Sequence, residues 1–349
     1  MMLENKGRTE LSELGEFGLI DHISRGFKLA NKSSVKGIGD DAAVIDNGGK
    51  MTVVTTDMLV ENVHFDLSYV PLKHLGYKAV TVNLSDIYAM NATPNQITVS
   101  IAISNRFSLE AVDEFYSGVA LACAHYGVDV VGGDTSSSVH GFIISVTAIG
   151  EADKDELVYR NTAKESDLIC VSGDLGAAFI GLQLLEREKK IFLENPAIQP
   201  DLGSNDYVLE RQLKPEARKE IIEQLKKIGV KPTAMIDISD GLSSEVLHIC
   251  TQSNVGATIY EDKLPIDQQT YDVAREFNLD PSVCALSGGE DYELLFTIKL
   301  ADYEKVRASI DISLIGHITD KSEGINLITK GGGSTPIIAQ GWDGLLKQG

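Results

Sequence analysis

The amino-acid sequence predicts an α/β (α+β) protein with two domains. Helical and extended hydrophobic patterns alternate along most of the 349 residues, which is typical of mixed folds and not of all-helical or all-strand ones. The length favours two domains, since a domain usually holds about 100–200 residues. Apolar residues make up 43% and charged residues 23% of the chain, so the composition is that of a globular protein with a substantial core.

The first half of the chain alternates between the two periods in a definite order. Apolar residues three or four positions apart predict helices, and short apolar runs bounded by turn residues predict strands. The expected elements are a helix over residues 16–30, a strand over 51–57, a helix over 72–90, a strand over 97–103, a helix over 109–126, and strands over 128–131 and 142–149.

The second half opens on residues 167–172 (DLICVS), a short apolar run that ends at Gly173 and predicts a buried strand. The polar segment 160–167 before it lies between two strand patterns, as expected for a domain joint. We therefore expect an N-terminal domain over residues 1–160 and a C-terminal domain over 161–349. A second irregular stretch, residues 195–207, is rich in Pro, Gly, Asn and Asp and predicts a surface loop, either a lid or a plain insertion.

The charge of the chain argues against nucleic acid as a partner. Thirty-one Lys and Arg stand against 51 Asp and Glu, which gives a formal net charge of −20. Such a protein would repel a phosphate backbone instead of releasing counterions from it. The same excess destabilises a compact chain unless cations neutralise some of the carboxylates.

The cysteines and the hydrophobic runs predict a cytoplasmic protein that does not enter a membrane. The four cysteines are far apart and form no Cys-x-x-Cys pair, so we expect four buried thiols and neither a zinc site nor a disulfide framework. No run reaches 18 apolar residues, and the first residues lack the apolar stretch of a signal peptide.

Six short segments carry carboxylates beside glycines or hydroxyl residues. Each alone has the composition of a turn. Most of them, however, stand at the end of a strand pattern, where mixed folds often place their ligands. The segments are residues 37–43 (GIGDDAA), 55–57 (TTD), 83–86 (NLSD), 132–135 (GGDT), 236–241 (IDISDG) and 287–293 (SGGEDYE).

Asp86 supplies the sharpest single argument. At 100° per residue it lies on the same helix face as Leu72, Ala79 and Met90, so this carboxylate points inward. A buried ionised carboxylate is costly unless it is paired or bound to a metal. Asp86 is therefore either a metal ligand or a buried Asp satisfied by a helix N-terminus or a nearby Lys.

Several converging carboxylates would need cations. Two unit charges about 4 Å apart repel by roughly 4 kcal/mol at an effective dielectric constant of 20. Oxygen ligands without His or Cys suit Mg²⁺ or Mn²⁺ and not Zn²⁺. Since Mg²⁺ commonly shares the phosphates of a substrate, and backbone N–H groups of glycines can approach the same phosphates, the pattern predicts a phosphate site reached through metal.

Familiar nucleotide and hydrolase motifs are missing from the sequence. It contains no Walker-type P-loop, no His-Arg-Asp or Asp-Phe-Gly kinase motif, no Gly-x-Ser-x-Gly elbow and no His-Glu-x-x-His. Residues 37–42 fit Gly-x-Gly-x-x-Ala, but two aspartates would then face a pyrophosphate and no clear strand precedes them. A dinucleotide-binding fingerprint is therefore disfavoured.

Taken in order and spacing, the motifs resemble the thiamine-monophosphate kinase family. Its superfamily also contains aminoimidazole ribonucleotide synthetase, selenophosphate synthetase and a hydrogenase maturation factor. The likeness spans nearly the whole chain, and residues 236–242 and 286–294 separate the kinase best from its relatives. The matching segments are residues 16–20, 37–43, 56–60, 62–65, 82–86, 132–135, 236–242 and 286–294.

The resemblance implies two domains like those of aminoimidazole ribonucleotide synthetase, and a homodimer formed through strands of the N-terminal domain. It implies transfer of the γ-phosphoryl group of ATP to thiamine monophosphate, giving thiamine diphosphate and ADP. Several Mg²⁺ ions would assist the transfer. This agrees with the residues, because phosphoryl transfer asks mainly for positioning and charge stabilisation and the acceptor phosphate is already ionised at pH 7. No catalytic acid or base is assigned.

The resemblance also assigns residues to roles. The positions that match metal ligands are Asp41, Thr55, Thr56, Asp57, Asp86, Asp134, Asp237 and Asp240. Those that match ATP contacts are Gly133, Asp134, Arg160 and Ser239, and those that match contacts to the thiamine ligand are His64, Glu290 and Trp342. A Trp at position 342 departs mildly from the varying aromatics of the family, and residues 195–207 look longer than is usual there.

Alternatives remain open from the sequence. Aminoimidazole ribonucleotide synthetase also has an acidic site and uses ATP, whereas selenophosphate synthetase would have a reactive Cys near its N-terminus and the first Cys here is Cys123. A non-enzymatic acidic metal-binding module would bind cations without dependence on nucleotide. Arg160, at a domain joint, could form a salt bridge in place of a nucleotide contact.

Overall fold

The computed structural model describes residues 29–338 together with Gly18, Ile20 and Ser24. These three residues are helical, while Leu29 and Ala30 are not, so the helix expected over 16–30 ends before Leu29; its other residues lie outside the described part.

The first half of the chain forms one six-stranded sheet with two helices on it. Only the β4–β5 pair is parallel; the other neighbours are antiparallel. The order is β1-β2-β3-β6-β4-β5, which leaves β5 at an edge. The elements are β1 (Ser34–Lys36), β2 (Ala43–Asp46), β3 (Met51–Val60), α1 (Leu72–Ala89), β4 (Thr93–Ile103), α2 (Leu109–Tyr126), β5 (Asp129–Ser137) and β6 (Ile143–Ala152).

Helix α1 is the central element of this half, because it is buried over most of its surface by the sheet, by α2 and by the second half of the chain. It packs closely on α2 through two glycines. A Cβ on Gly76 would lie 2.0 Å from the carbonyl oxygen of Phe115, and one on Gly118 would lie 1.8 Å from that of Lys73. Only glycine permits this backbone approach, which fixes α1 against its neighbour.

The second half forms a seven-stranded sheet of order β13-β12-β9-β11-β7-β10-β8. Only β9 and β12 run parallel. Its strands are β7 (Leu168–Ser172), β8 (Ala234–Ile238), β9 (Gly256–Tyr260), β10 (Glu293–Ile298), β11 (Ile312–Thr319), β12 (Ile325–Ile328) and β13 (Ser334–Pro336). Its α-helices are α3 (Ala177–Glu194), α4 (Asp206–Leu213), α5 (Lys219–Lys227), α6 (Leu242–Ser253), α7 (Gln268–Glu276), α8 (Pro281–Ser287) and α9 (Tyr303–Val306), with 3₁₀ turns at Glu261–Lys263, Leu300–Asp302 and Lys321–Glu323.

The fold class is confirmed as a mixed α/β chain with two sheets. Every predicted element that falls in the described part exists, but several strands are longer than their apolar runs. Strand β5 extends to Ser137 because β4 pairs with its polar segment as well as with its valines. The second irregular stretch is a loop only as far as Asn205, and α4 begins at Asp206. The loop is tied to α3 by the N–H of Asp201, which donates to Glu188 Oε2 at 2.8 Å.

The four cysteines are free and buried, as predicted. Among the residues that the structure describes, no helix combines the length and the apolar character needed to cross a membrane.

Candidate active site

A large cavity of about 1880 Å³ is lined by residues from both halves of the chain. Strand β3 and helix α1 contribute from the first half, and β8, α3 and α6 contribute from the second. Most of the residues singled out from the sequence share this one cavity. Those that line it are Asp41, Thr55, Thr56, Asp57, His64, Asp86, Arg160, Asp237, Ser239, Asp240 and Glu290.

Three of these carboxylates converge to form what we call the acid trio, Asp41, Asp86 and Asp237. One oxygen of each lies within 4.8 Å of the others. Asp41 lies two residues before β2, Asp86 lies in the last turn of α1, and Asp237 lies in β8. The inward position of Asp86 that helical periodicity predicts is therefore confirmed, and both halves of the chain contribute to the cluster.

Neutral hydroxyl and amide groups hold the acids in place. The hydroxyl of Thr55 donates to Asp86 Oδ2 at 2.6 Å, and that of Ser85 donates to Asp237 Oδ2 at 2.6 Å. The backbone N–H of Asp57 donates to Asn83 Oδ1 at 3.0 Å. Ser85 was not among the candidate residues, because its side chain faces the second half and not the stripe on which Asp86 lies.

Two members of the acid trio, Asp86 and Asp237, have raised pKa values. Burial first, and then nearby carboxylates with Asp57 foremost, hold the pKa of Asp86 well above its ordinary value. Burial and the charge of Asp41 likewise raise the pKa of Asp237. Mutual repulsion of this kind is what a bound divalent cation relieves, and a donor set made only of carboxylate and hydroxyl oxygens fits Mg²⁺.

Arg160 forms a fork-shaped ion pair with Asp41. Its Nε lies 3.0 Å from Asp41 Oδ2 and its Nη2 lies 2.5 Å from Oδ1. The salt-bridge alternative left open by the sequence is thus present in the structure. The guanidinium also lines the cavity, so its charge faces the same space as the acids.

The turn after β8 carries Asp240 and is shaped by Gly241. This glycine has φ +119°, and a Cβ there would lie 3.0–3.1 Å from the backbone of residues 286–288. The N–H of Asp240 donates to Glu245 Oε1 at 3.1 Å, so the buried Glu245 in the first turn of α6 fixes the turn. The sequence gives no capping-box signal for Glu245, because Leu242 stands three residues before it, where that motif has Ser or Thr.

Glu290 lies on a wall of the cavity in a left-handed backbone conformation, with φ +66°. The N–H of Glu290 donates to the carbonyl of Ser239 at 2.7 Å, which joins two predicted motifs. Its carboxylate is held by Lys78 Nζ at 2.9 Å and by Gln212 Nε2 at 2.8 Å. Neither partner was predicted; the only signal in the sequence was a lysine in the middle of an apolar helix.

His64 also lines the cavity. Its Nδ1 accepts a hydrogen bond from the N–H of Val60 at 3.0 Å, so the neutral ring carries its proton on Nε2.

Gly133 and Asp134 lie apart from the other predicted residues. They are on the exposed edge strand β5, beside a small pocket that Tyr116 and Val99 also line. Within a single chain, Asp134 therefore does not line the cavity that contains the acid trio. Trp342 lies outside the described residues.

Comparison with known proteins agrees with this geometry. Residues 39–152 match the family model described as AIR synthase related protein, N-terminal domain. The chain is 36% identical over 316 residues to thiamine-monophosphate kinase of Aquifex aeolicus, covering 90% of this chain and 94% of that one. It is 34% identical over 317 residues to the Bacillus subtilis thiamine-monophosphate kinase, covering 89% and 93%.

Solved structures give the same answer. The structure of AaThiL complexed with AMPPCP and TMP has a TM-score of 0.83 and 33% identity, covering 97% of this chain and 99% of that chain. The hydrogenase maturation protein HypE of E. coli, with a TM-score of 0.67 and 20% identity over 90% of this chain and 95% of that one, shares the fold. The chain belongs to the thiamine-monophosphate kinase family.

Proposed function

We propose that the protein transfers the γ-phosphoryl group of ATP to thiamine monophosphate, giving thiamine diphosphate and ADP. The observation that carries this function is the acid trio, in which carboxylates from both halves of the chain meet in one large cavity. It is supported by the likeness to AaThiL, whose structure holds AMPPCP and TMP. ATP and thiamine monophosphate are therefore the proposed substrates.

We further propose that several Mg²⁺ ions act as the cofactor. When bound, they would offset the charge of phosphate groups that otherwise repel one another. The proposed ligands are oxygen donors only, which is the donor set that Mg²⁺ prefers. They are Asp41, Thr55, Thr56, Asp57, Asp86, Asp134, Asp237 and Asp240.

The protein's own residues would act by positioning and by charge. Thr55 and Ser85 fix the directions of the Asp86 and Asp237 carboxylates through their hydroxyl groups. Arg160 supplies a fixed positive charge whose place is set by Asp41. The acceptor oxygen is already ionised at neutral pH, so no side chain needs to remove a proton from it.

For ATP we propose contacts from Gly133, Asp134, Arg160 and Ser239. Because Gly133 and Asp134 lie on β5, away from the cavity of their own chain, we also propose a homodimer that covers this strand. All of β5 is exposed, including Val130 and Val131, and an exposed apolar edge strand is a common surface for association between chains. Size-exclusion chromatography with light scattering should give the mass of a dimer, and Val131→Asp should shift it toward the monomer.

We propose that the thiamine part of the acceptor contacts His64, Glu290 and Trp342. The first two line the cavity that contains the acid trio, and Trp342 rests on the resemblance alone. We place the domain division between residues 160 and 161, which lies between the last strand of the first sheet and the first strand of the second.

The deciding experiment measures ADP and thiamine diphosphate together, using purified protein with Mg²⁺ and ATP, with and without thiamine monophosphate. We expect one thiamine diphosphate for each ADP, and little ADP without the acceptor. ADP without diphosphate product would contradict the proposal and favour another acceptor. Mg²⁺ binding that is indifferent to nucleotide would indicate a non-enzymatic metal-binding module.

A further inference from the structure

One peptide group in the turn after β8 is held from both sides. It joins Ser239, a proposed ATP contact, to Asp240, a proposed Mg²⁺ ligand. Its carbonyl, which belongs to Ser239, accepts the N–H of Glu290 at 2.7 Å. Its N–H, which belongs to Asp240, donates to Glu245 Oε1 at 3.1 Å. Because the C=O and N–H of a trans peptide point in opposite directions, the two hydrogen bonds together fix the plane of this group.

The two hydrogen bonds come from different kinds of group. The donor to the carbonyl is backbone, and Gly289 lets it approach, since a Cβ on that glycine would lie 2.5 Å from the carbonyl oxygen of Ser239. The acceptor of the N–H is a side chain. Glu245 lies in the first turn of α6, and its carboxylate reaches back past Gly241, which precedes the helix and offers no side-chain cap. Glu245 is therefore the part of this support that a substitution can remove.

Stability does not explain why a carboxylate occupies position 245. The residue is only 1% exposed, and its Oε2 makes no hydrogen bond within the described part of the chain. Nearby Asp237 and Asp240 repel its charge further. A buried carboxylate that is only half satisfied destabilises a fold, and an apolar side chain of similar size would pack there at less cost. Departures of this kind are expected where function requires them.

The supported peptide lies at the cavity. Ser239, Asp240 and Glu245 all line it, and Asp237 of the acid trio stands two residues before Ser239. A rotation of the peptide changes ψ of Ser239 and φ of Asp240, and these angles influence the direction of both side chains. The hydrogen bond of Glu245 thus bears on two proposed contacts at once.

We propose that Glu245 is a positioning residue, which fixes the Ser239–Asp240 peptide so that both side chains can meet a nucleotide with its Mg²⁺. This inference rests on the proposed function, from which the roles of Ser239 and Asp240 come. Glu245 acts through its hydrogen bond to the N–H of Asp240 and does not itself touch the nucleotide. Without this bond the peptide is held on one side only, and residues that orient ligands in this way commonly change affinity by about 10–100-fold.

The test measures Mg²⁺-dependent binding of AMPPCP by isothermal titration, which needs no turnover. Glu245→Met removes the acceptor at about the same side-chain length. We expect the affinity for AMPPCP in Mg²⁺ to fall by about tenfold, and the Mg²⁺ concentration needed for half-maximal binding to rise several-fold. Glu245→Gln keeps an oxygen that can accept the N–H of Asp240, so both quantities should stay within about threefold of the wild type.

Glu188→Met is the matched control. Glu188 lies on α3, is 5% exposed and accepts the N–H of Asp201 at 2.8 Å, so it too is a buried acid that holds a backbone N–H. It is not among the described residues that line the cavity. Its loss should lower Tm without changing the affinity for AMPPCP. Circular dichroism checks that each variant is folded, and Glu245→Ala replaces Glu245→Met if the latter does not fold.

Two results would overturn the positioning role. An unchanged AMPPCP affinity and Mg²⁺ requirement in a folded Glu245→Met protein would show that the peptide does not need Glu245. A loss in Glu245→Gln as large as that in Glu245→Met would show that the charge matters and not the hydrogen bond.

Failure of the proposed function is seen separately. A wild-type protein that binds AMPPCP but forms no thiamine diphosphate contradicts the proposed function, while the binding data still decide the role of Glu245. A wild-type protein that does not bind AMPPCP with Mg²⁺ overturns both.

Discussion

Two groups of buried carboxylates lie in this chain and are built in opposite ways. Asp291 and Glu293, the balanced pair, are surrounded by donors. The N–H of Gly176 donates to Asp291 at 2.8 Å, and Glu293 receives Ser172 Oγ at 2.5 Å and the guanidinium groups of Arg211 and Arg218. Within the described part of the chain, the acid trio has hydroxyl donors and a single guanidinium, that of Arg160.

The difference teaches how to distinguish a structural charge from a functional one. The balanced pair carries about as much positive charge as negative and joins α3, α4 and β10 into one unit. The acid trio keeps one oxygen of each of its three carboxylates within 4.8 Å of the others, and among the described residues only Arg160 offers it a cationic partner. A buried charge that the chain has neutralised itself serves stability, whereas one left for an outside cation to neutralise indicates a binding site.

The largest expected effect is a loss of turnover when the acid trio is changed. Asp237→Asn keeps the size and the Ser85 contact of the side chain but removes a charge that the proposed Mg²⁺ requires. We expect turnover to fall by about 100-fold or more, with circular dichroism unchanged. Wild-type turnover in a folded Asp237→Asn protein would contradict the metal role of the acid trio.

The balanced pair should respond in stability. Arg211→Met leaves Glu293 and Asp291 short of a buried cation, so we expect the free energy of unfolding to fall by about 3 kcal/mol. Denaturant unfolding measures this change. Arg187→Met is the matched control, because Arg187 lies half-exposed on α3 beside Glu188 and should change stability by less than about 0.5 kcal/mol. Equal losses of unfolding free energy in the two variants would contradict the stabilising role of the balanced pair.

In the absence of metal, removal of a carboxylate from the acid trio should stabilise the protein instead of destabilising it. Asp86→Asn removes one of three mutually repelling carboxylates, so we expect the metal-free protein in EDTA to gain about 1 kcal/mol, or a few degrees in Tm. Addition of Mg²⁺ should raise the Tm of the variant by less than it raises the Tm of the wild type. A lower Tm in EDTA would mean that Asp86 is already compensated.

The smallest effect is expected at the hydroxyl that orients Asp86. Thr55→Val removes one hydrogen bond of 2.6 Å while keeping the side-chain shape. Because the acceptor of this bond is a carboxylate of the acid trio, the loss in stability should be about 1 kcal/mol. The concentration of Mg²⁺ needed for half-maximal turnover should rise several-fold, because Asp86 is then less well oriented. An unchanged Mg²⁺ requirement would limit Thr55 to a structural role.

The sequence predicted the parts of the site that depend on local periodicity and composition. Helical spacing was enough to predict that Asp86 points inward, and carboxylates in segments with glycine or hydroxyl residues were enough to mark Asp41 and Asp237. The roles of these residues remain predictions. Trp342 lies outside the described part, so its position also remains a prediction.

Contacts between distant segments were beyond the sequence. Lys78 and Gln212 are 134 residues apart, and nothing local indicates that both reach Glu290. Ser85 was missed for a related reason: α1 is buried on nearly all sides, so a single apolar stripe does not define its inner face. The polar part of β5 lacks the apolar–polar alternation that is typical of a strand, and it is extended because it pairs with β4.

Helix α1 touches both halves of the chain, and this has a consequence for folding. Its close glycine contact binds it to α2, while Ser85 and Lys78 reach Asp237 and Gln212 of the second half. Neither half can lose its structure without exposing this shared helix. We expect heat or denaturant to unfold the two sheets in one cooperative transition, and an isolated fragment of residues 161–349 to be much less resistant to proteolysis than the whole chain.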